Sequence, residues 1–209
     1  MKKPYGAELF RMRRIAERRN DKLHGAEVWG AFDLLLTMLA VVVFALAIRA
    51  VLVEPVRVEG ESMLDTLQNG DYLFVEKLTY AVNEPKIGDI VICYYPDSYY
   101  QFRNKDYHSR VKRVVAVAGD TVETKNGVLY VNGEMVDEPY LSENRRETTG
   151  VETAITIAGG EVYVLGDNRS NSNDSRNALV GPIPLERIVG KAHFILFPFD
   201  HLRGVTSWR

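Results

Sequence analysis

Hydrophobic and polar residues are distributed differently before and after residue 54 of this 209-residue chain. Leu34–Ile48 contains fifteen residues without a charge, and Thr37 is its only polar side chain. Beyond residue 54, short runs of β-branched and aromatic residues alternate with turn sequences. The pattern predicts an apolar helix followed by a domain built mainly of β-strands.

The second part of the chain has the spacing of an antiparallel β domain. Asn126-Gly127 and Asn132-Gly133 are typical of type I′ hairpin turns. The polar region 137–158 is interpreted as an extended excursion of the same domain. The predicted fold is mostly β: an antiparallel sheet or barrel-like domain over residues 54–209, long enough to have its own core. The predicted strands are Tyr72–Val75, Ile90–Tyr95, Val111–Val117, Val128–Val131, Glu161–Leu165 and Ala192–Phe197.

The apolar helix is predicted to be an uncleaved transmembrane anchor over residues 30–53. Leu34–Ile48 is shorter than the ~20 residues that span a bilayer, but Arg49 can snorkel and the apolar run continues to Val53. Residues 1–28 carry eight Lys and Arg against four acids. The positive-inside rule therefore predicts a cytoplasmic segment 1–29 and an extracytoplasmic domain 54–209.

Two other interpretations fit the apolar segment less well. A buried helix of a soluble domain would show a polar face, which this segment lacks. A cleaved secretory signal is the stronger alternative, because Ala45-Leu46-Ala47 has the pattern of a cleavage site. The long basic segment before it, and the apolar residues after it, favour an anchor that stays uncut.

Composition and charge exclude several classes of function. The 28 acidic and 26 basic residues nearly balance, so a nucleic-acid partner is not predicted. Cys93 is the single cysteine, which excludes an intrachain disulfide and a Cys-x-x-Cys site. The four histidines are scattered and no H-E-x-x-H motif occurs, so neither a metal nor another cofactor is predicted.

Ser62 is the first candidate for chemistry. Val56 and Val58 alternate as in a strand, and Gly60 interrupts that strand just before the serine. The hydroxyl is therefore expected on a turn at the end of a sheet. A serine there is equally suited to cap a short helix, and Ser62-x-x-Asp65 resembles a capping box. The local sequence leaves both roles open.

Lys112 is the second candidate. Together with Arg113, it lies near the start of an apolar run with β-branched residues at successive positions, which indicates a strand buried on both faces. Burial lowers the pKa of a lysine, whereas a guanidinium stays protonated, so Lys112 is a candidate base. Snorkelling of both side chains at the strand end is the alternative.

The segment Gly166–Arg176 is the third candidate, because it is dense in short polar side chains. Such side chains form hydrogen bonds with nearby backbone, which predicts a rigid polar loop rather than a disordered linker. Asp174 and Arg176 are expected to pair and to support a site.

Together the three segments resemble the type I signal peptidase family of bacteria. The motifs occur in the family order: G-E-S-M-L-D-T-L at 60–67, R-V-K-R-V-V at 110–115 and G-D-N-R-S-N-S-N-D-S-R at 166–176. Two lesser motifs, at 71–77 and 86–91, also fit. The resemblance covers roughly residues 30–200, and three motifs in order are far more specific than one.

The resemblance implies a serine endopeptidase with a Ser/Lys dyad that removes signal peptides from exported preproteins after Ala-x-Ala, at the outer surface of the cytoplasmic membrane. It implies Ser62 as nucleophile, Lys112 as general base and Ser172 as the residue that orients the lysine. Asp174 and Arg176 match a structural pair. The implied partners are exported preproteins and the lipid bilayer. Apolar subsites for small side chains are implied at Val56, Val58, Met63, Leu67 and Val111.

The sequence departs from the family pattern at three positions near the dyad. Asp65 replaces the usual proline, Arg110 replaces a frequent tyrosine, and Gly60 stands where some members have a serine that assists the oxyanion hole. A carboxylate near the nucleophile is expected to disfavour a developing oxyanion. Asp65 therefore keeps open an alternative function, a catalytically silent membrane-tethered relative that only binds export substrates.

Overall fold

A computed structural model describes residues 5–96 and 109–205 of the chain. The chain divides into two compact units, Met1–Arg49 and Ala50–Arg209. The first unit is helical and the second contains the β-sheets.

Helix α1 extends from Tyr5 to Leu52. It begins well before the predicted anchor at 30–53, and Val53 already belongs to the first strand. Every side chain between Leu34 and Ile48 is exposed. By length and hydropathy, no helix within the described residues qualifies as a membrane span. Residues 1–4 of the predicted cytoplasmic segment lie outside the described residues.

The second unit has short strands, and all of their pairings are antiparallel. Short helical segments are α2 (Thr79–Val82) and 3-10 turns at Glu143–Arg145, Arg169–Asn171, Leu185–Arg187 and Phe199–His201. The strands are β1 (Val53–Arg57), β2 (Tyr72–Glu76), β3 (Ile90–Cys93), β4 (Arg110–Ala116), β5 (Thr121–Lys125), β6 (Val128–Val131), β7 (Glu134–Met135), β8 (Ile155–Thr156), β9 (Glu161–Leu165), β10 (Ile183–Pro184), β11 (Ile188–Phe197) and β12 (Arg203–Gly204).

Within the described residues, the larger sheet has the order β1-β2-β11-β3-β4-β9-β10, with β12 paired to β11. The smaller sheet has the order β7-β6-β5-β8. The mostly antiparallel β architecture predicted from sequence is confirmed. The long connections that place β11 between β2 and β3 were not predicted, because short-range patterns do not specify strand partners.

The hairpin turns predicted around β6 are confirmed. Asn126 and Asn132 have φ values of 52° and 56°, and the glycine after each also has a positive φ. Two-residue turns of this kind match the twist of the strands they join. By contrast, β5 was missed because Val122 is its only apolar residue. Thr124 fills the second inward position, where its hydroxyl accepts a hydrogen bond from the Val151 amide at 3.1 Å.

Within the described residues, the core comprises three clusters of buried apolar residues. One lies beneath β1–β3, a second lies on β3, β4 and β9, and the third joins the two sheets. Val151 and Ile157 belong to the third cluster. The region 137–158, interpreted from sequence as an excursion, therefore folds back onto the domain and contributes both core residues and β8.

Gly190 lies in β11 at a close approach to β2. A Cβ atom at this position would lie 2.4 Å from the carbonyl oxygen of Glu76 and 2.9 Å from Cγ1 of Val75. We expect Gly190→Ala to lower the free energy of unfolding by about 1–3 kcal/mol, as overpacking does. Thermal unfolding of the full chain measures the effect. Gly159→Ala is the matched control because its Cβ would have no neighbour within 4 Å, and equal midpoints for the two variants would contradict the contact.

Candidate active site

Ser62 lies in a tight turn shortly after β1. The chain turns at Gly60, whose φ of 91° lies in the left-handed region that glycine adopts readily. The Gly60 amide donates a hydrogen bond to Asn69 Oδ1 at 3.0 Å, which ties the two ends of the turn together. Residues 62–66 form successive turns rather than a helix. The alternative role of Ser62 as a helix cap is therefore not supported.

Lys112, in β4, contacts Ser62 directly. Its Nζ donates hydrogen bonds to Ser62 Oγ at 2.6 Å and to the Val111 carbonyl at 3.0 Å. The residue is only 3% exposed, so its side chain does not snorkel to solvent. Burial lowers the pKa of Lys112 to about 8, because a charged ammonium group is poorly solvated there, and the negative charge of Asp174 opposes part of that effect.

Arg113, the next residue of β4, is also buried but has ionic partners. Its Nε and Nη2 donate to the Asp167 carboxylate at 2.9 and 2.7 Å, and its Nη1 donates to the Gly88 carbonyl at 3.0 Å. The guanidinium also lies 3.9 Å from the centre of the Tyr140 ring. The sequence indicated a strand that is buried on both faces, and Lys112 and Arg113 are indeed both buried.

Asp167 and Asn168 hold the Ser62 turn, a role that the sequence alone did not indicate. Asp167 accepts a hydrogen bond from Thr66 Oγ1 at 2.5 Å in addition to those from Arg113. The Asn168 amide donates to the Ser62 carbonyl at 2.9 Å, and its side-chain Nδ2 donates to the Glu61 carbonyl at 3.1 Å. The density of short polar residues in the loop indicated bonds to backbone, but not which backbone segment receives them.

The predicted pair of Asp174 and Arg176 is present. Arg176 Nε and Nη2 donate to the two carboxylate oxygens, each at 2.8 Å, and Asp174 Oδ2 also accepts the Gly166 amide at 3.1 Å. Burial on its own would raise the pKa of Asp174, but the hydrogen bonds and charge of Arg176 outweigh it and leave that pKa below its ordinary value. Asp174 is therefore a carboxylate that fixes the loop 166–176.

Ser172 lies in the same loop without the hydrogen bond to Lys112 that the resemblance implies. Its Oγ is buried and makes no hydrogen bond of standard geometry to a described residue, although its hydroxyl contributes to the lowered pKa of Asp174. A Cβ at Gly166 would lie 2.2 Å from Ser172 Oγ and 2.5 Å from the Ser62 carbonyl oxygen. The loop and the Ser62 turn thus meet where only glycine fits.

A groove with a volume of about 590 Å³ lies over Ser62 and Lys112. Its walls come from β1 and the following turn on one side and from residues 109–112 on the other, with Asn171 and Asn173 contributed by the polar loop. Tyr95 also lines the groove and donates a hydrogen bond to the Asn173 carbonyl, a contact that the sequence did not suggest. Of the predicted substrate-binding residues, four line this groove: Val56, Val58, Met63 and Val111.

Leu67 does not line the groove. It is fully buried in the core cluster that also contains Met63, so it supports the wall from beneath. Of the departures from the family pattern, Arg110 and Gly60 line the groove, whereas Asp65 does not. The Asp65 carboxylate instead forms an ion pair with Arg145 at 2.9 Å.

Several known proteins are similar to this chain over most of its length. The family model described as "Signal peptidase, peptidase S26" matches residues 31–197. A signal peptidase I of Bacillus licheniformis is 44% identical over 179 residues, covering 82% of this chain and 91% of the relative. Signal peptidase I T of Bacillus subtilis is 43% identical, covering 78% and 83%. A probable signal peptidase I-1 of Synechocystis is 38% identical, covering 77% and 80%. With a buried lysine against a serine in a groove, and with these relatives, the chain belongs to the signal peptidase family, peptidase S26.

Proposed function

We propose that this chain is a serine endopeptidase that removes signal peptides from exported preproteins, with Ser62 as nucleophile and Lys112 as general base. The observation that carries the proposal is the 2.6 Å contact between Lys112 Nζ and Ser62 Oγ inside a groove. Burial of Lys112 makes its neutral amine accessible near pH 8, and only that form can accept a proton.

The reaction proceeds through an acyl-enzyme. Neutral Lys112 takes the Ser62 proton as Oγ attacks the carbonyl carbon of the scissile peptide. Lys112 then gives this proton to the departing amine of the mature protein, and the signal peptide stays esterified to Ser62. A water molecule, deprotonated by the same lysine, hydrolyses the ester. The Ser62 backbone N–H is the proposed donor to the oxyanion.

The loop 166–176 holds Ser62 Oγ and Lys112 Nζ in contact with one another. Asn168 holds the backbone of Ser62, and the Asp174–Arg176 pair fixes the loop itself. Ser172 is proposed to orient Lys112 when substrate enters, because its buried hydroxyl has no other hydrogen bond of standard geometry within the described residues. These residues act through position rather than by bond-making.

The substrate is proposed to bind in an extended conformation along β1. That strand is at the edge of the larger sheet in the described residues, so an added strand can pair with it. Val56, Val58, Met63 and Val111 supply apolar walls close to the dyad. Such walls favour alanine at the first and third residues before the cut, because larger side chains clash.

The chain is also proposed to be anchored in the cytoplasmic membrane through residues 30–53, with residues 1–29 in the cytoplasm and the catalytic domain outside. The support is the uncharged run Leu34–Ile48, whose side chains are all exposed on α1, and the eight basic residues before position 29. An exposed apolar surface of this kind favours burial against a membrane or a partner.

Replacement of either dyad residue tests the proposed chemistry. We expect Ser62→Ala and Lys112→Met each to reduce cleavage of a preprotein with an Ala-x-Ala site by at least about 10³-fold, as loss of a nucleophile or base does. Cleavage by detergent-purified full chain is followed on gels and by sequencing the new N-terminus. Lys125→Met, which removes an exposed lysine of β5, is the control. If the unaltered chain binds the preprotein without cutting it, the silent-relative alternative replaces the proposal.

The pH dependence of cleavage follows from the lowered pKa of Lys112. Below pH 8 the ammonium form predominates and cannot accept the Ser62 proton, so activity is lost as the pH falls. We expect kcat/KM to rise about tenfold per pH unit well below the pKa and to level off above about pH 8 to 9. Initial rates between pH 6 and 10 measure this, and a flat profile in a chemistry-limited assay would contradict the role of Lys112.

The anchor is tested in the full chain by charges placed within the apolar run. We expect Leu39→Lys combined with Val43→Lys to release the protein from membranes into alkaline carbonate, because each lysine costs about 2.5–3.5 kcal/mol at the centre of a membrane helix. Leu39→Ala combined with Val43→Ala is the control and should remain in the pellet. Extraction of the unaltered chain by carbonate would refute the anchor.

A further inference from the structure

Asp65 stands where the family pattern has proline, three residues after the proposed nucleophile. Its carboxylate is directed to Arg145, with Oδ1 and Nη1 2.9 Å apart. Arg145 belongs to a 3-10 turn far along the chain. A residue that restricts the backbone is thus replaced by one that contacts a distant segment.

The segment that presents Arg145, residues 138–148 and here called the strap, is fixed at both ends by Arg169. Arg169 Nη1 donates to Glu138 Oε2 at 2.9 Å and to Thr148 Oγ1 at 2.5 Å. All three of these side chains are buried. Because Arg169 lies in the loop 166–176, the strap is tied to the same loop that holds the Ser62 turn.

The Ser62 turn has separate inner and outer contacts. On the inner side, Asn168 bonds to the Ser62 carbonyl and Asp167 bonds to Thr66. Asp65 lies between these two contacts in sequence and is directed instead to the strap. The ion pair therefore restrains the part of the turn that the polar loop does not hold.

We propose that Arg145 is a positioning residue for Ser62: through Asp65 it holds the nucleophile turn against the strap, in place of the backbone restriction that a proline provides. The inference rests on the proposed function of Ser62. It also explains how a carboxylate is tolerated near the oxyanion, since the charge of Asp65 is compensated by Arg145 outside the groove.

The solvent exposure of the Asp65–Arg145 pair indicates whether the pair affects the rate or the stability. The Asp65 side chain is 57% exposed, whereas the Arg145 Nη1 atom is shielded from solvent. The two groups form an ion pair without the geometry of an aligned hydrogen bond. Pairs of this kind contribute little to the free energy of unfolding. Small displacements of a reacting group, by contrast, reduce the rate strongly. The pair is therefore expected to influence kcat more than stability.

A double-mutant cycle in the full chain tests the inference. We expect Asp65→Ala and Arg145→Ala each to lower kcat about three- to fivefold at unchanged KM, and the double variant to be no slower than either single variant. The charge exchange Asp65→Arg with Arg145→Asp should recover most of the rate. Raising the salt concentration should slow the unaltered chain but not the single variants, because salt screens the pair.

Two further variants separate positioning from a loss of folding. Lys125→Ala removes one member of an ion pair on β5 of the smaller sheet, outside the groove, and should change neither kcat nor KM. In an Asp65→Pro background, Arg145→Ala should have no effect on kcat, because proline restricts the turn without a partner. Three results would each overturn the inference. They are additive effects of the two substitutions on kcat, an unchanged kcat in the single variants, and a fall in kcat that is matched by a fall in the thermal midpoint. The proposed function fails separately, if Ser62→Ala still cleaves.

Discussion

The burial of two adjacent cations in β4 is the constraint on which the site depends. Successive residues of a strand point to opposite faces, so Lys112 and Arg113 enter different surroundings. Arg113 cannot lose its proton and has a bidentate carboxylate partner in Asp167. Lys112 has Ser62 Oγ and a backbone carbonyl as its hydrogen-bond partners instead. Within the described residues no carboxylate pairs with Lys112, and a desolvated amine of this kind suits the general base proposed for the site near neutral pH.

The polar loop 166–176, which follows β9, positions the Ser62 turn beside Lys112 of β4. Its residues bond in three directions: Asp167 to Arg113, Asn168 to the backbone around Ser62, and Asp174 to the loop's own Gly166 and Arg176. Each of these groups is buried, so each unmade bond would leave a costly unsatisfied group. The loop is therefore rigid, and it fixes the distance between two side chains that lie fifty residues apart in sequence.

The groove depends on the curvature of the larger sheet. In the strand order of the described residues, β2, β11 and β3 separate β1 from β4, yet β1 and the start of β4 line the same groove. A flat sheet would keep them well apart, since neighbouring strands are about 4.8 Å from one another. Register shifts in the pairings of β11 with β2 and β3 accompany this curvature, as bulges commonly do. An edge strand is thereby brought beside Ser62, which is where the substrate is proposed to bind in an extended conformation.

The sequence by itself determined the class of the fold, most of its long strands and the hairpins at Asn126 and Asn132, because these depend on local chemistry such as alternation and turn residues. The candidate dyad came from the family resemblance of three motifs in order, since the local sequence left the roles of Ser62 and Lys112 open. The sequence did not reveal β5, in which a threonine replaces an apolar residue, nor the two-residue strands β7, β8, β10 and β12. A strand of two residues is too short to show the alternation of apolar and polar positions that identifies a strand.

Only the tertiary structure decided which residues meet. Four contacts between polar side chains or backbone join segments that are far apart in sequence: Asp167–Arg113, Asn168–Ser62, Glu138–Arg169 and Asp65–Arg145. A local pattern shows that a polar group needs a partner, but the partner is set by strand order and loop path. The resemblance implied that Leu67 belongs to a substrate subsite, whereas the structure places it in the core. Its burial depends on which residues pack above it, and the sequence does not show them. The sequence shows the chemistry of each single residue, whereas the distances between residues are set by the fold.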